Sequence, residues 1–166
     1  MFRIGEEEVA AVRETLLGKR MWRYQRDSQT ERFEHALSQK MASGYALALA
    51  SGTGALIAGL TALGIGPGDE VLVPAYTYIS TAIAPLAVGA VPILVEVDET
   101  LTMDASDLRR KITPRSRAVI PVHINGHPCD MDRILAVAAE HGISVLEDAC
   151  QSVGGSYRGR RLGTLG

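Results

Sequence analysis

With 166 residues, 46% of them apolar, and 17 basic against 19 acidic side chains for a net charge of −2, the chain has the composition of a globular domain with a sizeable core, not that of a disordered polymer. No basic run exceeds Arg109-Arg110-Lys111 or the spaced Arg158, Arg160 and Arg161, which argues against nucleic acid as a partner. The two cysteines, Cys129 and Cys150, lack metal-ligand spacing and are too few for a disulfide framework, so a reducing cytoplasm is the expected setting.

The chain opens on Met-Phe-Arg-Ile-Gly-Glu-Glu-Glu, which contains no apolar signal core. Apolar periodicity predicts two amphipathic helices, over 6–17 and 30–41, joined by the polar turn GKRMWRYQRDSQ. From there the pattern changes to strand-length apolar bursts at 45–50, 70–74, 92–97, 117–122 and 143–146. Most are too continuous for one-sided strands and so need cover on both faces. Between them lie helical patterns at 54–63, 77–88, 105–112 and 131–141. Asp104 and Asp130 are placed to cap the last two, while Gly64, Gly89 and Gly142 mark helix ends. This alternation predicts an α/β domain, a mainly parallel sheet with helices on both faces. The expected organisation is a helical segment over 1–43 followed by the α/β part over 44–166. Residues 71–95 carry no charge, but Pro74, Pro85, Gly89 and Pro92 cut them into pieces that fit strand, helix and strand better than a membrane span.

Three places at the carboxyl ends of the strands draw attention, because ligands of open α/β sheets bind there. Ser51-Gly52-Thr53-Gly54 stands between a strand and a helix, where free backbone amides suit a phosphate, although a ligand-free tight turn has the same composition. A P-loop would need a lysine in this turn, and a dinucleotide site would need an acid after the next strand, where Pro74-Ala75-Tyr76 stands instead. Tyr76 is either an aromatic plate for a flat ring or a core tyrosine with a bonded hydroxyl. The last strand ends in Glu147-Asp148, either a solvated pair or an acid aimed at a basic ligand. A phosphorylated heteroaromatic with a basic ring nitrogen, of which pyridoxal phosphate is an example, would use cradle, plate and acid together. His123, at the end of its strand in PVHINGH, reads as a structural hydrogen-bonding residue.

With these residues in hand, the chain resembles the N-terminal part of the DegT/DnrJ/EryC1/StrS family of pyridoxal-phosphate-dependent sugar aminotransferases. The likeness runs through EEEVAAVRETLLGKRMWR, ERFEHAL, ASGTGAL, LGIGPGDEVLVPAYTYISTA, GAVPILVEVDETLTMD, ITPRSRAVIPVHINGHPCDMD and EHGISVLEDACQSVGGSYRGRRLGTLG. It departs at WRYQRDSQTERFE, where members often carry a shorter glycine-containing turn. The resemblance implies the aspartate-aminotransferase fold, fold type I, and the cofactor pyridoxal 5'-phosphate. It further implies that Asp148 keeps the pyridine nitrogen protonated, Gln151 lies near the ring hydroxyl, Tyr76 stacks on the ring, and Gly52, Thr53 and Gly54 bind the phosphate. Glu147 is expected to be a solvated or structural neighbour.

By the same resemblance the Schiff-base lysine lies beyond Gly166, none of Lys19, Lys40 and Lys111 being placed for that role. The chain is thus expected to be an incomplete front part of the enzyme, inactive and poorly stable alone, with its first strand short of a neighbour and its fifth presenting an open edge. The implied activity moves an amino group from glutamate or glutamine to a keto-sugar or keto-cyclitol, in a cytoplasmic homodimer. A dehydratase of the same family, with histidine in place of the lysine, and an inactive cofactor-binding module are the alternatives.

Overall fold

A computed structural model describes residues 4–166, which divide into two compact units, one ending at Ala48 and the other spanning Leu49–Gly166. In the first unit the two helices form as expected, α1 over Glu6–Leu17 and α2 over Gln29–Met41. Glu6, Glu7 and Glu8 fill the first turn of α1, where the helix dipole favours negative charge, and Glu8 accepts the Gly5 amide at 2.7 Å. The hydroxyl of Ser28 caps α2 by accepting the Glu31 amide at 3.1 Å. Glu34, on α2, ties two distant stretches of the unit together by accepting Arg23 and the Ala48 amide, each at 2.8 Å.

The strand expected over 45–50 does not form. Those residues belong to no ladder, and Tyr45 and Leu47 are 95% and 60% exposed. Their alternation of apolar side chains suits a strand, but a strand exists only when a neighbouring strand takes up its amides and carbonyls in a ladder, and among the described residues none pairs with them.

The second unit is built on a parallel sheet in the order β2-β1-β3-β4, from strands β1 (Glu70–Pro74), β2 (Val91–Val95), β3 (Ser116–Val119) and β4 (Ser144–Val145). β1 has a neighbour on each side and all five of its residues are buried, as the apolar run over 71–74 requires, with Glu70 paired to Arg115. Its side chains alternate between two cores. Val71 and Val73 pack with Leu56 and Leu60 of α3 (Gly52–Ala62) and Ala84 of α4 (Ser80–Ala87). Leu72 packs with Leu108 of α5 (Ala105–Lys111) and with Met131, Ile134 and Val137 of α6 (Met131–His141). The helices therefore cover both faces, and residues 71–95 resolve into β1, α4 and β2. No helix among the described residues is long and apolar enough to cross a membrane.

The expected stops and caps act where they were read. Asp104 accepts the Ser106 amide at 2.8 Å, Asp130 accepts the Arg133 amide at 3.3 Å, and Gly142 ends α6 in the left-handed region at φ 64°. β3 is shorter than the expected 117–122, because Pro121 has no amide to give the ladder, and pairing resumes only as a single bridge between Val122 and Asp148. A hairpin that periodicity did not suggest, β5 (Ser156–Tyr157) with β6 (Arg160–Arg161), turns through Arg158 and Gly159 at φ 48° and 81°.

Candidate cofactor site

At the carboxyl edge of the sheet a cleft of about 270 Å³ opens between the start of α3, the loop from β1 to α4, and the segment after β4. Gly52, Thr53, Asp148 and Gln151 all line it, so four of the six residues singled out from sequence meet at one place.

One end of the cleft is set by local chemistry at the head of α3. Ser51 caps the helix, and its hydroxyl accepts the Gly54 amide at 3.0 Å. That bond occupies Gly54, which does not line the cleft, and leaves the unpaired first-turn amides of Gly52 and Thr53 for an anion. The Thr53 hydroxyl donates to Ser80 at 2.8 Å, which brings two hydroxyls to the same wall. A Cβ at Gly52 would come within 2.9 Å of the Cys150 sulfur, so a side chain there would have to push that thiol aside.

At the other end stands Asp148, 7% exposed. It accepts the Thr81 hydroxyl at 3.0 Å and the Cys150 amide at 3.1 Å. Thr81 is fully buried, and because its one proton goes to Asp148, the 2.9 Å contact with Thr77 makes Thr77 the donor there. Among the described residues no basic side chain pairs with Asp148. A secluded carboxylate with hydrogen bonds but no cation is matched to a positively charged ligand. Burial, helped by the charge of Asp148, raises the pKa of the neighbouring Cys150 thiol and keeps it protonated.

Tyr76 is 48% exposed and does not line the cleft, so it is neither core nor wall; Tyr78 is the aromatic residue that lines it. Gln151 accepts the Asn125 amide at 2.7 Å through its carbonyl oxygen, leaving its amide nitrogen as the donor. Thr77, Tyr78, Ser80, Thr81 and Cys150 were missed from sequence. Thr77 and Thr81, four apart, share a face of the first turn leading into α4, and that spacing was a usable signal.

Glu147 is not solvated. Its side chain is 3% exposed and takes four donors: His123 Nε2 and the Gly163 amide on one oxygen, both at 2.9 Å, and the Leu165 and Gly166 amides on the other. His123, fully buried, accepts the Cys129 amide on Nδ1 at 3.1 Å, so its proton sits on Nε2, facing Glu147. Burial pushes the Glu147 carboxyl up, but these donors together pull it further down, below the ordinary carboxylate range. A pKa depressed by folding contributes stability above the unfolded-state value, lost as pH falls through the folded one. Protection of the Gly163, Leu165 and Gly166 amides against hydrogen exchange should thus hold down to about pH 4 and fail only below it, the ordinary glutamate value lying near there. Loss of protection well above that pH would show that Glu147 does not hold them.

A family model described as the DegT/DnrJ/EryC1/StrS aminotransferase family matches residues 3–166. The chain is 48% identical over 135 residues to the GDP-perosamine synthase of Caulobacter vibrioides, covering 81% of this chain and 36% of that protein. It is 45% identical over 142 residues to the dTDP-3-amino-3,4,6-trideoxy-alpha-D-glucose transaminase of Streptomyces venezuelae, covering 85% and 38%. Among solved structures, NtdA from Bacillus subtilis with bound cofactor PMP superposes with a TM-score of 0.82 at 37% identity, covering 94% of this chain and 36% of that one. The chain thus spans well under half the length of these relatives.

Proposed function

Because the chain belongs to the DegT/DnrJ/EryC1/StrS aminotransferase family, with the fold type I architecture of its structural relatives, we propose that its cleft binds pyridoxal 5'-phosphate and serves a sugar aminotransferase. The observation that carries this reading is Asp148, a secluded carboxylate without a cation, in one cleft with the amides that open α3. A pyridine ring with a phosphate tail presents the two charges that these two ends lack.

When bound, the cofactor supplies a cationic ring that accepts electrons from the amino-bearing carbon of the substrate. Asp148 would hold the proton on the ring nitrogen, its carboxylate aimed by the Thr81 hydroxyl and the Cys150 amide. The Gly52 and Thr53 amides, with the Ser80 hydroxyl that the Thr53 hydroxyl orients, would take the phosphate. Tyr78 offers a ring face at the cleft wall in the role first assigned to Tyr76, and Gln151 offers its amide nitrogen to the ring hydroxyl.

The donor in this proposal is an amino acid, glutamate or glutamine, and the acceptor a keto-sugar or keto-cyclitol. The GDP- and dTDP-sugars in the relatives' names favour a nucleotide-linked keto-sugar. The family likeness further supports a homodimer, and the thiols of Cys129 and Cys150 suit a reducing cytoplasm.

Titration of the chain with pyridoxamine 5'-phosphate, which needs no covalent link, tests the site. Saturable binding that inorganic phosphate displaces and that unphosphorylated pyridoxamine matches only weakly is the expected result. Absence of saturable binding would overturn it.

A further inference from the structure

We propose that His123 and Glu147 are positioning residues that fix the carboxylate of Asp148 in the cleft, an inference that rests on the functional reading above. The ladder between β3 and β4 ends at Val119 and Val145. Beyond it the two segments run on side by side through few backbone bonds: Leu146 to the Val119 carbonyl at 3.0 Å, Asp148 to the Pro121 carbonyl at 2.9 Å, and His123 to the Asp148 carbonyl at 3.1 Å. Pro121 contributes no amide to this stretch. The bond from His123 to Glu147, at 2.9 Å, adds a cross-link between side chains of the same two segments.

Both members of that link are held from behind. The Cys129 amide fixes the His123 ring, and the Cys129 thiol donates to the Val122 carbonyl at 3.1 Å. The Gly163, Leu165 and Gly166 amides fix Glu147, whose oxygens are then fully engaged and offer no acid or base to a reaction. One carboxylate of the adjacent pair clamps the backbone that aims the other.

In Glu147→Gln, the new amide nitrogen sets a donor against the His123 Nε2 proton and the Gly163 amide together, or, turned over, against the Leu165 and Gly166 amides, so one end of the anchor is lost either way. Affinity for pyridoxamine 5'-phosphate is expected to fall about tenfold, the scale of one lost hydrogen bond to a charged group. Affinity for inorganic phosphate, held at the head of α3, stays at the wild-type value, and the Asp148 amide exchanges faster. His123→Asn keeps a neutral donor and acceptor on a shorter side chain and should show the same split at smaller size, which covers the case in which Glu147→Gln does not fold. Equal affinities in variant and wild type, or a parallel loss of both ligands, would overturn the proposal. Failure of the wild-type chain to bind pyridoxamine 5'-phosphate would instead overturn the functional reading, while exchange at Asp148 still reports on the clamp.

Discussion

Asp148→Asn is expected to weaken pyridoxamine 5'-phosphate binding by about a hundredfold or more, with inorganic phosphate binding unchanged. Leaving one member of a buried ion pair without its partner costs about 3–5 kcal/mol, and each 1.4 kcal/mol is about tenfold in affinity. Asparagine keeps the shape: its oxygen takes the Cys150 amide and its nitrogen donates to Thr81, whose hydroxyl turns to Thr77, so the loss isolates the charge. Nitrogen NMR of ring-labelled ligand supplies the second readout: the ring nitrogen is protonated in the wild type and unprotonated in the variant. The ligand-free chain should melt no lower after the change, since the wild type secludes an anion without a cation. A variant that bound the ligand as tightly as wild type would remove Asp148 from the site.

Leu60→Ala should destabilise the second unit by about 2–5 kcal/mol, read as a fall in the urea midpoint. Leu60 is fully buried on α3, among Val71 and Val73 of β1 and Ala118 and Ile120 beside them. The residue before it, Gly59, already lies so close to the segment after β4 that a Cβ there would come within 3.0 Å of Leu146. Leu63, 45% exposed just past the same helix, provides the control, with an expected change within about 0.5 kcal/mol. Equal effects at the two positions would mean that α3 is not anchored through this core. Because α3 carries the phosphate amides at its head, Leu60→Ala should weaken phosphate and pyridoxamine 5'-phosphate binding together, unlike Asp148→Asn.

The extent to which the sequence foretold this arrangement followed how local each determinant is. β1 and α6 formed over their expected residues because an unbroken apolar run, an aspartate cap and a glycine stop are properties of contiguous chain. Residues 45–50 had the right composition and no strand, since pairing is a property of the neighbour. Of the cleft, Gly52, Thr53 and Asp148 were legible from their place at the ends of elements, and Gln151 only through the family resemblance. The choice between Tyr76 and Tyr78 was not, because direction in a loop follows its turns and carries no period. Nor was the seclusion of Glu147, whose partners come from His123 and from the backbone at 163–166, where amides leave no trace in residue type.

Among the described residues, no lysine or arginine walls the cleft. A dianionic ester seated there is gripped by amide dipoles and hydroxyls that offer directional partners but no net charge. Dissolved salt has little to shield in such a grip, and long polyanions find nothing in it to draw them. In the proposed site a phosphate would be recognised by the shape of its donors and not by a field felt at a distance.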